Sequence, residues 1–383
     1  MTDRLSALLH EEADLLDVPM PAVRESITAG RRIRRRRRVT QTVAVVAAVA
    51  CIGTAAALLG NGPERADDGI ADPGPADAQD EGVPADVGAV FAVRDTVYLQ
   101  AGTVSARMDE VAQTLYYTSA GLLVRTNKDG ASDGGAPFHF ALVSPAGSVD
   151  KLALTLGEVV PSTDPRQPYL AYADTASGDV EVVVLDVSTG EEVARVDVPG
   201  VTDWGGWEAP PVALDGEDVF VSSQSGTQVV NWRTGDVTTN EAVPGGYPDV
   251  HGGRAIVRDR RQVRIVDART GATILTVPNE GGYTMVRLSP DGRLATVATD
   301  PMPDTGSVDL YTVDSGAHVR VDGDPYASGW TPLSQYYSVT QDGVVSCVSG
   351  EDPCSTQPLP DGLRLDGVGL DGLVRLGGVV YES

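Results

Sequence analysis

Val263-Arg264-Ile265-Val266-Asp267-Ala268-Arg269-Thr270-Gly271-Ala272-Thr273-Ile274-Leu275-Thr276-Val277 reads as strand, turn, strand. Its branched apolar residues favour extended chain. The Asp, Thr and Gly between them suit a tight reversal, in which glycine supplies the positive φ that other residues resist. The same turn recurs as Gln100-Ala101-Gly102, Pro145-Ala146-Gly147, Ser188-Thr189-Gly190, Arg233-Thr234-Gly235, Asp314-Ser315-Gly316 and Val348-Ser349-Gly350. The seven glycines lie 45, 43, 45, 36, 45 and 34 residues apart. Valine-rich runs flank the best copies, at 182–187 and 193–196 and again at 308–313 and 318–321.

A second turn falls 18–26 residues before several of these glycines. Its clearest copy is Ser289-Pro290-Asp291-Gly292-Arg293-Leu294-Ala295, with looser copies at Ser162-Thr163-Asp164-Pro165, Leu214-Asp215-Gly216 and His251-Gly252-Gly253. Two turns per period, with strands between them, make four strands per unit. A repeat of about 40–45 residues with four short strands is the signature of a propeller blade. Residues 88–383 are therefore expected to form an all-β, seven-bladed β-propeller. Six or eight blades stay open, because the intervals of 36 and 34 blur the count. Strands at 89–93 and 97–100 and at 363–365 and 373–381 are expected to share one composite blade. Such a blade buries edges that a linear array would expose.

The 289–295 turn and the Val-x-Val-Asp-x-x-Thr-Gly hairpins resemble the WD-repeat and TolB-like propeller superfamily over about residues 88–383. The resemblance implies the fold and says little about activity. The Gly-His and Trp-Asp signatures are largely absent, so no WD hydrogen-bond tetrad is assigned.

Upstream, Arg-Arg-Ile-Arg-Arg-Arg-Arg-Arg at 31–38 runs into 22 uncharged positions at 39–60. A helix of that length reaches roughly 33 Å, enough for a hydrocarbon core of about 30 Å. Positive charge at a span end stays inside, which sets the N-terminus in the cytoplasm and the C-terminus outside. The expected layout is a cytoplasmic tail at 1–38, a transmembrane helix at 39–60, an acidic Pro-rich linker at 61–87 and an extracellular propeller at 88–383. A cleaved signal peptide fits less well, because the Ala55-Ala56-Ala57 site lies inside the apolar run. The single-pass layout resembles actinobacterial membrane proteins related to anti-sigma factors over residues 1–60, and the Arg-, Ala- and Gly-rich composition fits such a source. That resemblance implies a tail docking a cytoplasmic regulator. Residues 1–38 contain no cysteine, so a His-x-x-x-Cys-x-x-Cys zinc motif is missing.

A formal net charge of −25 argues against nucleic acid, which needs clustered cations. Cys347 and Cys354 flank Val-Ser-Gly-Glu-Asp-Pro at a hairpin tip, and are expected to form a disulfide in an oxidising compartment. The four histidines share no metal-ligand spacing, and no Gly-x-Ser-x-Gly elbow or phosphate loop appears. No metal site and no cofactor is assigned. Structural calcium on axial carbonyls or carboxylates stays open, since a hard cation needs only clustered oxygens.

Candidate binding residues come from the loops that link one blade to the next, read as 201–211, 245–253, 279–285 and 322–334. They carry Trp204, Trp207, Tyr247, Tyr283, Tyr326 and Trp330, six of only 20 aromatic residues. Asp203, Glu208, Asp249, His251 and Asp324 lie beside them. Aromatic rings with a polar handle suit a wet binding surface. Equally, flat blades need bulky wedges between them. Loops at 126–138 and 300–307 are expected on the same face. The leading expectation is a non-enzymatic propeller binding a protein, peptide or envelope component. The alternatives are a signalling role through the tail, or a hydrolase or lyase.

Overall fold

Strands covered on both faces read as near-continuous apolar runs, as in Glu181–Asp186 of one sheet and Gly121–Asn127 of another. The computed structural model describes residues 82–131, 135–279, 283–299, 306–347, 354–365 and 374–380. The expected tail at 1–38, the span at 39–60, the linker up to 81 and the Val348-Ser349-Gly350 turn lie outside the described residues. Among the described residues no helix is long and apolar enough to cross a membrane.

Seven four-stranded antiparallel sheets form the blades of one ring. Strands are lettered a to d from the axis outward. Blade 1 comprises Val111–Thr118, Gly121–Asn127, Phe138–Val143 and Val149–Leu156. Blade 2 comprises Ser162–Thr163, Tyr169–Asp174, Glu181–Asp186 and Glu191–Asp197. Blade 3 comprises Val212–Asp215, Asp218–Ser223, Gly226–Asn231 and Asp236–Asn240. Blade 4 comprises Val250–His251, Arg254–Arg258, Gln262–Asp267 and Thr273–Pro278. Blade 5 comprises Thr284–Leu288, Leu294–Thr299, Ser307–Thr312 and His318–Asp322. Blade 6 comprises Ser328–Trp330, Tyr336–Val339, Gly343–Cys347 and Ser355–Pro358. Blade 7 joins Val374–Leu376 to Phe91–Val93, Thr96–Leu99 and Val104–Arg107.

Blade 7 is the expected composite, with a different division of strands. The C-terminal part gives only strand a, and the N-terminal part gives the other three. Residues 363–365 form no strand, although Leu363 and Leu365 still pack on the core between blades 6 and 7.

Side chains alternate across a strand, so each blade feeds two cores. In blade 1, Leu122 and Val124 join Ala92 and Val97 of blade 7, whereas Leu123 joins Leu170 of blade 2. The described apolar clusters fall one to each interface around the ring. Burial declines outward: Gly121–Asn127 is buried throughout, while Glu191–Asp197 is exposed or half-buried along its length.

Closure is held by backbone pairing and one phenol. Phe91 pairs with Leu376 and Val93 with Val374. The fully buried Tyr337 of blade 6 donates its hydroxyl to the Val90 carbonyl at 2.6 Å and accepts from the Gly377 N–H at 3.0 Å. Gly377 is required there, because a Cβ would overlap the Tyr117 ring.

Both recurrent turns lie on one face, here called lower. The Thr-Gly turns join strands c and d. In the best copy, Asp267 accepts from the Arg269 and Thr270 N–H groups at 3.1 and 2.8 Å, and Gly271 takes φ 72°. The second turn joins strands a and b, and these turns clasp one another around the axis. Ser119 N–H donates to the Gln167 carbonyl at 3.0 Å, linking blade 1 to blade 2. Asp164 accepts from Gly216 N–H at 2.9 Å, linking blade 2 to blade 3. Asp215 accepts from Gly252 and Gly253 N–H at 2.9 and 2.7 Å, linking blade 3 to blade 4. Gly252 and Gly292 bring blades 4 and 5 so close that a Cβ on either would overlap the other's turn. Asp291 N–H then donates to the Ser334 hydroxyl at 3.2 Å, reaching blade 6.

Burial pushes the Asp215 carboxyl above its ordinary 3.8, and nearby Asp164 adds to the rise, against the Gly253 N–H, His251 and Arg166. A raised carboxyl contributes stability below pH 3.8 that is lost as pH climbs through its folded value. The melting-temperature advantage of the native chain over Asp215→Asn should therefore shrink as pH rises from 4 to 7. A gap that widens over that range would contradict the assignment.

Tyr337→Phe leaves the Val90 carbonyl without its buried donor, a loss of about 1–3 kcal/mol. A lowered midpoint in thermal or urea unfolding is the expected result. An unchanged midpoint would show that the phenol does not hold the closure.

Candidate functional site

The opposite, upper face carries the d-to-a connectors and the b-to-c turns. The inner strands surround an axial cavity of about 260 Å³ whose lining runs from these connectors down to the lower-face turns at Pro165 and His251. Every blade contributes to it: Thr114 to Tyr117 from blade 1, Ser162 and Thr163 from blade 2, Val212 and Ala213 from blade 3. Tyr247, Asp249, His251 and Arg258 come from blade 4 and its connector, Tyr283 and Met285 to Leu288 from blade 5 and its connector, Gly329 and Trp330 from blade 6, and Gly378 to Val380 from blade 7. Its walls mix apolar groups with a few charged ones, the general character of a ligand site.

The eleven sequence-predicted residues divide. Tyr247 and Tyr283 line the cavity and are 42% and 58% exposed. Asp249 lies 3.6 Å from His251 Nε2 and 3.9 Å from the Arg258 guanidinium. His251 lies lower than expected. The inner strand of blade 4 is only Val250–His251, so this residue abuts the a-to-b turn rather than the upper connector.

The indole Nε1 of Trp204 donates to the Trp207 carbonyl at 3.0 Å, and the side chain packs on the core between blades 2 and 3. Trp207 is half-buried with its ring 6.5 Å from that of Tyr247. Trp330 is 5% exposed and wedges between blades 5 and 6, its ring 6.0 Å from Tyr336 and against Leu294 and Leu310. The candidate aromatic residues thus divide between rings that pack on blade interfaces, Trp204 and Trp330, and exposed rings, Tyr247 and Tyr283.

Asp203, Glu208 and Asp324 build loops. Asp203 adopts φ 57° and accepts from Gly205 N–H at 3.3 Å. Glu208 accepts from the Glu158 N–H at 2.8 Å, tying two successive connectors together. Asp324 caps the short 3-10 turn Pro325–Ala327 by accepting from Tyr326 N–H at 2.8 Å. Tyr326 is half-buried beside it and is not part of the cavity wall.

Two arginines escaped the sequence reading. Arg258 ends strand b of blade 4 and donates to the carbonyls of Thr284 at 3.3 Å and Val286 at 3.1 Å. Arg287 donates to the carbonyls of Pro325 at 2.9 Å and Ser328 at 3.0 Å, bridging blades 5 and 6. Among the described residues no group of three His, Cys, Asp or Glu side chains could hold a metal ion. Cys347 and Cys354 form a disulfide on the outer hairpin of blade 6, away from the cavity.

No protein-family model matches the chain, and no curated protein matches it. Solved structures similar to it include WD-repeat and TolB-like propellers. TolB from Acinetobacter baumannii is 12% identical over 63% of this chain and 65% of its own, with a TM-score of 0.42. The propeller domain of Myceliophteria thermophila Cps50 (Swd1) is 14% identical over 70% of this chain and 97% of its own, at 0.44. Apo AztD from Citrobacter koseri is 11% identical over 76% of this chain and 98% of its own, at 0.45. These likenesses carry no argument about activity, and the seven blades rest on the strand pairing itself.

The division of the aromatic residues is testable. Trp330→Ala empties a blade interface and should cost about 3–5 kcal/mol. Tyr283→Ala on the exposed rim should stay within about 0.5 kcal/mol of the native chain. Equal losses in urea unfolding would contradict the division.

Proposed function

We propose that this chain is a single-pass membrane protein whose extracytoplasmic propeller binds a protein, peptide or envelope component at the upper mouth of its axial cavity, without chemistry. One observation carries the binding reading: exposed Tyr247 and Tyr283 flank a cavity that also holds Asp249 and Arg258. Flat amphipathic rings next to a few fixed charges are what a recognition surface uses.

The anchor rests on the uncharged run at 39–60 behind its arginine block. The Cys347–Cys354 bond supports an oxidising compartment outside. The non-enzymatic reading rests on the absence of any catalytic motif in the sequence, and on roles for Asp203, Glu208 and Asp324 within the loops themselves.

The test uses the full chain in its membrane. Protease added to intact cells should digest the propeller and spare an N-terminal tag. After solubilisation, the native chain should retain an envelope ligand that Tyr247→Ala/Tyr283→Ala releases. A protected propeller would remove the topology. Retention by the double variant would remove the upper-face site.

A further inference from the structure

Blade 4 carries six Arg against two Asp between Val250 and Pro278, within a chain of formal net charge −25. Three of these, Arg258, Arg260 and Arg261, fall at its b-to-c turn on the upper face, and all three are exposed. The intervening Asp259 turns its carboxylate back onto the Arg261 and Gln262 N–H groups, at 2.8 and 2.9 Å. Arg258 is held in place by the Thr284 and Val286 carbonyls, and its nearest carboxylate contact, Asp249, is at 3.9 Å. Its guanidinium thus spans the head of the next inner strand, adjoining Tyr283 and facing the cavity.

We infer that this rim takes an acidic peptide segment, with carboxylates on Arg258, Arg260 and Arg261 and a neighbouring apolar side chain in the axial cavity. The inference rests on the binding reading above and names the ligand chemistry for that site. A guanidinium fork matches the planar carboxylate, and one already fixed by backbone carbonyls loses little freedom on binding. The overall negative charge does not forbid it. At physiological ionic strength fields fade over about 8 Å, so the local arginines govern contact.

The cavity chooses between anionic partners. Leu115, Met285 and Val379 are in its wall, and its 260 Å³ suits one or two side chains. A polypeptide offers an apolar side chain beside its carboxylates. A phosphate polymer offers charge alone, with nothing to fill an apolar space.

The probe is a fluorescent heptapeptide, Gly-Glu-Glu-Phe-Glu-Glu-Gly, titrated into the full-length chain at 0.15 M salt and read by anisotropy. It should bind roughly ten-fold or more tightly than its Gln counterpart. Arg260→Glu/Arg261→Glu, on an exposed turn, should weaken it to a similar degree. Arg293→Glu, exposed on the lower face, should leave it unchanged. No saturable binding, equal binding of the Gln peptide, an unaffected double variant, or equal competition by inorganic polyphosphate would each overturn the inference. Suppose the envelope ligand is lost in Tyr247→Ala/Tyr283→Ala but kept in Arg260→Glu/Arg261→Glu. Then the upper-face site stands and the acidic-peptide inference alone falls.

Discussion

A four-stranded blade has two apolar faces, and neither can be left in water. Neighbouring blades cover both faces only when the array closes on itself, so each interface depends on the last one made. Here that last interface joins chain ends: Phe91–Val93 pairs with Val374–Leu376, and the Tyr337 hydroxyl ties Val90 to Gly377. Tyr337 and Val90 are 247 residues apart. Loop-closure entropy grows only logarithmically with separation, so this distance costs little more than a shorter one in stability. It matters more to speed, because long-range pairing must wait for the chain between to organise. Leaving one strand from the C-terminus and three from the N-terminus makes closure an addition to an existing sheet edge.

The two faces of the ring share out the sequence's distinctive residues unequally. The Asp, Ser and Gly of the recurrent turns are occupied on the lower face. Asp164 and Asp215 serve the backbone N–H groups of the next blade, and the Ser289 hydroxyl accepts from Leu294 N–H at 3.0 Å. A repeated motif here means a repeated structural duty, in which buried polar atoms find partners in the neighbouring turn. Among the described residues the upper face has no such repeat. Its connectors differ from blade to blade, which is the freedom a specific surface needs.

This asymmetry also explains what could be read from the sequence. The blade number was legible because the described c-to-d turns take glycine in the left-handed region, as at Gly190, Gly235, Gly271 and Gly316. The Cys347–Cys354 pair was legible because it spans a hairpin tip. The composite blade was legible in outline and not in its division, since the apolar Leu363 and Leu365 pack on a core without pairing as a strand. Of the candidate site, the aromatic residues on connectors were legible as a group, but composition cannot separate Trp330, which is buried in an interface, from Tyr283, which is exposed. Arg258 gave no local sign, because a strand-end arginine reads as a solvated charge until the next blade's carbonyls are placed beside it.

The cavity's walls follow from inner strands of unequal length. Blade 1 supplies eight residues of strand a, whereas blades 2 and 4 supply two each. Where the strand is short, the wall is finished by flanking chain: Pro161 and Pro165 beside blade 2, Tyr247, Pro248 and Asp249 before blade 4. A long strand presents alternating side chains at fixed spacing, so it can vary the lining only by residue size. A connector can place a ring or a carboxylate at the mouth itself. The chemical character of the opening is therefore concentrated at blade 4 and its neighbours, where short strand, varied connectors and arginine-rich turn meet. The same closed ring that makes every blade structurally equivalent leaves one sector free to differ in the chemistry it presents at the opening.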